Sequence, residues 1–310
     1  MTQKELAAML GVTPATVSKA VKNAPDISAA TRARVLAAME EQGMKIDRER
    51  RTQGRAVLVV TPEFGSEYYA KTLSCLHDAL SERGLTMLTM SLEQDYNLNI
   101  ESVRRILHTM PGICGVIMLD SSKPVELGKP SVAYSNNGDV RSDFKHSMEK
   151  AIRHLLAAGR RRIAYVGEQL TRDKNRSFYD LMTKLVQGFD EHYLYVSRLR
   201  FEQAGADGFA ALFSLPEPPD AIICGYDYIA LGVLNAAEAA GIEVPRELAV
   251  IGADNERAAA AYRLGLSTIG INHAAVADAL VELLLWRIDH PDAPERQITV
   301  PSELYLRGTT

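Results

Sequence analysis

From Ala56 onward the chain alternates short apolar runs with amphipathic stretches, and this rhythm restricts the fold more than any other feature. "AVLVVTP" (56–62) reads as a buried strand. Tyr69 to Arg83 carries apolar residues at helical spacing and stops at Gly84. "LTMLTMS" (85–91) reads as a second strand, Glu101–Met110 as a helix, "GICGVIMLD" (112–120) and "PSVAYSN" (130–136) as strands. Phe144–Ala158 is a helix before Gly159, and "RRIAYVG" (161–167) restarts strand formation. "DAIICGYD" (220–227) is a strand, Tyr228–Ala240 a helix before Gly241, and "LAVIGAD" (248–254) a strand. This βαβα order implies parallel sheets with helices on both faces. A break near 156–162 predicts two such lobes. Ligands of these folds bind beyond the carboxyl ends of the strands. No GxGxxG or GxxxxGK[ST] follows any strand, which argues against a dinucleotide or nucleotide enzyme.

The first 45 residues follow a different rule. Thr2 and Glu5 have capping-box spacing and open a helix through about Leu10, which Gly11 ends. Thr13-Pro14 starts a second helix: threonine accepts free first-turn N–H groups, and proline has none to lose. Asn23-Ala24-Pro25-Asp26 breaks it, and Ser28 caps a third helix that runs to Gly43. Helix, tight turn, helix, loop, helix is the plan of a helix-turn-helix module. Its core is expected to be Leu6, Leu10, Val12, Val17, Val21, Ile27, Val35 and Met39. The second helix keeps only a narrow apolar edge, with Ala15, Ser18, Lys19 and Lys22 pointing elsewhere.

Charge separates the same two regions. Residues 1–55 hold ten Lys/Arg against six Asp/Glu, a surplus of +4 in a chain of net charge −4, so the rest carries −8. A basic head on an acidic body points to a polyanionic partner. No apolar run approaches the length of a membrane span, and the start MTQKELAAML lacks a signal-peptide pattern. A cytoplasmic location without membrane contact is expected. Cys75, Cys114 and Cys224 are odd in number and far apart, with no zinc-ligand spacing, and read as reduced packing residues. The seven histidines form no HxxxH or HExxH pattern. No cofactor or metal is expected.

The stretch "TQKELAAMLGVTPATVSKAVKNAPDISAATRARVLAAMEEQG" resembles the headpiece of the lactose-repressor/galactose-repressor family of bacterial transcription regulators. The likeness continues in "LLAAGRRRIAYVG", "ALGVLNAAEAAGIEVPRELAVIGADN", "YRLGLSTIGIN" and "VPSELYLRGTT". The resemblance implies an α/β chain: a small all-α helix-turn-helix head (1–45), a hinge or linker (46–55), and a two-lobed, periplasmic-binding-protein-like body (56–310). The lobes would be connected by three crossovers. It implies a sequence-specific regulator, a repressor, that binds a double-stranded DNA operator and a small-molecule effector. No heptad-bearing tail follows Thr310, which favours a homodimer. A cytosolic sugar-binding protein and an enzyme on the same fold are the competing readings. The basic head counts against the first. The absence of a nucleophile–base pairing or a phosphate loop counts against the second.

By the same resemblance the second helix enters the major groove. Pro14, Ala15 and Lys19 hold the base-reading positions. Ala15 offers apolar contact to a thymine methyl, and Lys19 can donate to guanine O6 or N7. Thr13, Thr16 and Ser18 are candidates for phosphate contacts, as is Lys22, with Arg48 and Arg51 following in the hinge. Matching effector positions are Tyr68 and Tyr69 after the first strand, Arg176 in "DKNRSFYD", Tyr226 and Asp227 in "CGYDY", Asp254 and Asn255 in "GADN", and His273. Tyr68 and Tyr69 read equally as lobe-edge core, Asp227 as a helix cap, and His273 as a surface or hinge residue. Tyr226 stands where sugar-binding members often carry asparagine. Tyr179 and Asp180 replace the small residue and aromatic that commonly follow the pocket arginine. The stretch from Arg176 to Asp220 is also short. A polar effector, a sugar or sugar derivative, is expected.

Overall fold

The computed structural model describes residues 2–21, 27–42, 56–92, 96–119, 126–135 and 137–310. The head folds as its capping residues dictate. Helix α1 (Gln3–Leu10) opens on a complete capping box: Thr2 N donates to Glu5 Oε2 at 2.7 Å and Glu5 N to Thr2 Oγ1 at 3.3 Å. Gly11 ends it at φ 63°, a left-handed conformation that glycine adopts without steric cost. Helix α2 (Pro14–Val21) follows directly, and α3 (Ala29–Glu41) starts where Thr31 N donates to Ser28 Oγ at 3.2 Å. Leu6, Val17, Val35 and Met39 are buried as expected, while Leu10, Val12, Val21 and Ile27 pack around them half-buried. Ala7, Ala20 and Ala38 complete the core. Their small side chains allow the helices to approach closely.

The body comprises β1 (Ala56–Thr61), α4 (Glu67–Ser81), β2 (Thr86–Ser91), α5 (Tyr96–Thr109), β3 (Ile113–Leu119), β4 (Ser131–Tyr134) and β5 (Val140–Ser142). Next come α6 (Phe144–Ala157), β6 (Ile163–Glu168), α7 (Arg172–Leu185), β7 (Leu194–Ser197), α8 (Phe201–Phe213), β8 (Ala221–Cys224) and α9 (Asp227–Ala239). The chain closes with β9 (Ala249–Asp254), α10 (Arg257–Ala261), β10 (Ser267–Ile271), α11 (His273–Asp289), β11 (Ile298–Val300) and β12 (Ser302–Tyr305). Among the described residues these form two six-stranded sheets, ordered β11-β5-β4-β3-β1-β2 and β12-β10-β9-β8-β6-β7. Pairings β1–β2, β1–β3, β3–β4, β6–β7, β6–β8, β8–β9 and β9–β10 are parallel, and β12 runs antiparallel to β10. This is the expected two-lobed α/β body.

The lobes divide at a different place from the expected 156–162. One unit is Met1–Arg141 with His273–Ile298, and the other is Ser142–Asn272 with Thr299–Thr310. The chain therefore crosses three times, after Arg141, Asn272 and Ile298. The run Gly159–Arg162 is an ordinary helix-to-strand turn within the second lobe, because α6 sends Met148, Ile152 and Leu155 into the same core as Ile163 and Tyr165.

The central strands β6, β8 and β9 of the second lobe are buried on both faces, so alternate residues serve two cores. Ile163 and Tyr165 join Phe178, Ile223 and Ile251 under α6 and α7. Ala164 and Val166 join Phe209, Ile222 and Val250 under α8 and α9. Helices α8 and α9 touch backbone to backbone. A Cβ on Gly205 would lie 2.0 Å from the Ile229 carbonyl oxygen, and one on Gly232 2.1 Å from that of Glu202. Cys114 and Cys224 are buried and Cys75 half-buried, all as free thiols. Burial pushes the Cys224 thiol well above its ordinary range, so it packs as a small apolar group.

Candidate DNA-binding face and effector lobes

The turn before α2 decides which of its residues face outward. Val12 N donates to Ala7 O at 3.0 Å, and Thr13 Oγ1 accepts Thr16 N at 3.1 Å. These bonds orient α2 with Val17 and Ala20 against α1 and α3. Thr13, Pro14, Ala15 and Lys19 are exposed as a result, and Thr16 and Ser18 are half-buried. The side chains matched to base reading thus share the outer part of the helix. Thr13 and Thr16 also lie hydroxyl to hydroxyl at 2.9 Å, so their first role is to hold the helix start. Lys22, Arg48 and Arg51 lie outside the described residues, as does the hinge from Ile46 to Arg55.

Two head arginines have structural partners. Arg32 donates to Ile288 O and to Asp289 Oδ1, each at 3.1 Å, at the carboxyl end of α11. Arg34 donates to Leu10 O at 3.1 Å. Part of the positive surplus counted from the sequence is therefore committed to folding.

In the first lobe, Ser66 caps α4 by accepting Tyr69 N at 3.3 Å, which places Tyr68 and Tyr69 in the first turn beyond β1. The Tyr68 ring meets Tyr69 edge-on at 5.1 Å and His273 at 5.2 Å. The Tyr68 hydroxyl donates to that of Tyr134 at 3.3 Å. His273 opens α11, is buried, and lies 2.8 Å from Thr72 Oγ1 through Nδ1. Both tyrosines and the histidine thus form one aromatic cluster at the carboxyl ends of β1 and β4. His273 is a packed residue where the chain enters this lobe, not a surface one.

In the second lobe, the carboxyl ends of β6, β8 and β9 bring Glu168, Gly225, Tyr226, Asp227 and Asp254 together. Asp254 and Asn255 take positive φ values of 89° and 51°, a strained conformation fixed by neighbours. Asp227 supplies the fixing: Oδ2 accepts Glu256 N and Oδ1 accepts Thr268 Oγ1, both at 2.6 Å. Thr268 Oγ1 in turn accepts Asn255 N at 3.3 Å. Asp227 is fully buried, and its side chain caps nothing in α9. It positions the loop carrying Asp254. Burial drives the Asp227 carboxyl up to about 7, against the hydrogen bonds from Thr268 and Glu256 that favour its charge.

Asp254 Oδ1 is met by Lys174 Nζ at 2.9 Å, and Arg176, two residues further along α7, is exposed. Tyr226 accepts Phe201 N at 3.0 Å through its hydroxyl. Burial raises the Tyr226 phenol, so it stays protonated. Phe201, at φ 54°, packs edge-on against Tyr226 and Tyr228, with the Arg200 guanidinium 4.7 Å above its ring. Arg200 also reaches buried Glu168 at 3.4 Å. Lys174, Glu168, Arg200 and Phe201 are neighbours of these residues that the sequence does not single out, although Glu168 ends a strand, where the ligand rule for such sheets points.

Comparison with known proteins accounts for both parts. Residues 2–45 match bacterial regulatory proteins of the lacI family, and residues 152–310 match the periplasmic binding protein-like domain. The chain belongs to the lacI family of bacterial regulatory proteins. An HTH-type transcriptional regulator in the aml 5′ region of Streptomyces limosus is 28% identical over 99% of this chain and 93% of its own. The HTH-type transcriptional repressor CytR of Escherichia coli (strain K12) is 24% identical over 100% of this chain and 96% of its own. Among solved structures, a CelR–cellobiose complex has a TM-score of 0.73 at 21% identity, covering 100% of both chains. The lac repressor dimer bound to operator and the anti-inducer ONPF has a TM-score of 0.72 at 20% identity, covering 100% of this chain and 99% of that one. This lacI-family member is a helix-turn-helix transcriptional regulator with a two-lobed effector body. Among its described residues no helix is long and apolar enough to cross a membrane.

Proposed function

We propose that this regulator is a cytoplasmic, homodimeric repressor that reads its operator through α2 and changes affinity when a polar small molecule binds its body. The observation that carries the reading is the outward part of α2: Pro14, Ala15 and Lys19 stand exposed on a helix whose inner face is fully committed to the head core. Such a helix, free of a broad apolar surface, suits the major groove better than a protein partner. Its roles are binding and response, with no catalytic step.

The domain plan proposed is the head at 1–45, the linker at 46–55 and the body at 56–310. Lys19 reads a base, Pro14 and Ala15 shape the apolar contact, and Thr13, Thr16, Ser18, Lys22, Arg48 and Arg51 meet phosphates. In the body, Tyr68, Tyr69 and His273 offer aromatic surface on one lobe. Arg176, Tyr226 and Asp254 offer polar groups on the other, with Asp227 behind them. Relatives of this shape include a regulator solved with cellobiose, which supports a sugar or sugar derivative as the effector. Selection of bound DNA from a random pool, followed by a ligand screen on that DNA, tests the reading. Specific retention that vanishes on removal of residues 1–55 is expected. Equal retention of all sequences by the full chain would refute it.

A further inference from the structure

The second lobe holds an ammonium group in a cage. Lys174 Nζ lies 2.9 Å from Asp254 Oδ1, 2.9 Å from the Gly225 carbonyl oxygen and 4.8 Å from the centre of the Phe144 ring. A carboxylate, a carbonyl and an aromatic face around one nitrogen satisfy an ammonium group fully. Gly225 makes the room: a Cβ there would stand 3.0 Å from Thr171 Cγ2 and 3.1 Å from the Tyr165 hydroxyl.

Charge and exposure indicate what the cage accepts. The groups that face the Lys174 nitrogen are a carboxylate oxygen of Asp254, the carbonyl oxygen of Gly225 and the face of the Phe144 ring, all of them electron-rich. An anionic ligand would be repelled by them. A neutral hydroxyl would have to break a charge-assisted bond and return a weaker one. A ligand ammonium makes an even exchange. Lys174 is able to yield, because its side chain is 20% exposed on a flexible stem, whereas that of Asp254 is 7% exposed and held by its loop.

Resting on the reading of this lobe as effector-binding, we infer that Lys174 is a built-in occupant of the effector site and a determinant of its specificity. The effector is then a polar molecule with a primary ammonium group, an amino sugar by class, whose nitrogen replaces that of Lys174. Full-length wild type, Lys174→Ala, Lys174→Met and the double variant Lys174→Ala/Asp254→Asn provide the test. Thermal unfolding is followed with propylammonium chloride and 1-propanol. Titration calorimetry compares glucosamine with glucose.

Propylammonium should stabilise Lys174→Ala saturably, with half-saturation at least tenfold below that of wild type. Propanol should do nothing, and the double variant should lose the response. Lys174→Met, which keeps the apolar stem, should bind glucosamine at least tenfold tighter than wild type because the internal competitor is gone. Equal responses to propylammonium and propanol, no response in Lys174→Ala, or equal glucosamine affinity of Lys174→Met and wild type would each overturn the cage. Retention of the selected operator is measured with the same probes. Saturable amine binding that leaves DNA affinity unchanged would uphold the cage and refute the effector role of the lobe.

Discussion

Burying Asp227 has a consequence for stability that can be read from its sign. The folded carboxyl keeps its proton to about pH 7, against an ordinary value of 3.8. Between these values the folded state binds more protons than the unfolded one. The contribution is therefore complete below the lower value and is lost as pH rises through the upper one. Thermal midpoints should fall as pH rises from 5 to 8, and Asp227→Asn should flatten that slope. A variant with the wild-type slope would assign the titration to another group. At the DNA end, Lys19 is the one long donor among the matched base-reading positions. Lys19→Ala should cost roughly 1–3 kcal/mol at one base position per half-site, measured on single-base operator variants. A uniform loss across all variants would assign Lys19 to the phosphates. Asp254 and Tyr226, proposed effector residues, are reached from the sequence through the family resemblance. Lys174 is not, because a lysine in an otherwise polar helix reads as solvated until its partner from β9 is seen 80 residues away.

Among the elements, caps were easy to read and close contacts were not. Thr2, Gly11, Thr13 and Ser28 act where their chemistry placed them, since each satisfies backbone groups within four residues. Thr13→Ala removes the bond to Thr16 N and should cost about 1 kcal/mol, seen as a lower unfolding midpoint of the head by circular dichroism. An unchanged midpoint would mean that tertiary packing alone fixes α2. Helix α8 shows the opposite case. Its sequence FEQAGADGFAALF holds two glycines, which weaken a helix interior, yet Gly205 and Gly208 face α9 and Val166 at distances no Cβ could occupy. Only the tertiary contact explains them. Gly232→Ala should therefore destabilise the second lobe, by roughly 1–3 kcal/mol for an overpacked site. Urea unfolding checks this, and wild-type stability would show that α8 and α9 can separate without cost. The lobe boundary was misread for a similar reason: a turn rich in Gly and Arg is a local signal, whereas membership of a lobe depends on which core receives Met148, Ile152 and Leu155.

Over the whole molecule, the division of charge between head and body governs how the regulator meets DNA. With Arg32 bonded to Asp289 and Arg34 to Leu10, much of the remaining positive charge falls in the linker, at Arg48, Arg50, Arg51 and Arg55. The linker "IDRERRTQGR" lies outside the described residues, and its sequence alone carries the prediction. It contains no leucine, and nothing apolar follows Ile46. Kinking a duplex by unstacking normally needs an apolar wedge, whereas arginine enters a narrow minor groove without one. The operator should accordingly be bent little. Binding should be steeply salt-dependent, each phosphate-bound arginine adding roughly 0.9 to the logarithmic slope. Replacing Arg48 and Arg51 by alanine should reduce that slope by up to about 0.9 per residue and protomer while leaving base preference intact. The decisive measurement places a fluorescent base analogue at the centre of the selected operator in a bending assay. A stacked analogue in a nearly straight duplex is the expected result. A sharp central kink with an unstacked analogue would mean that some other side chain supplies the wedge, and that these arginines serve it from the side.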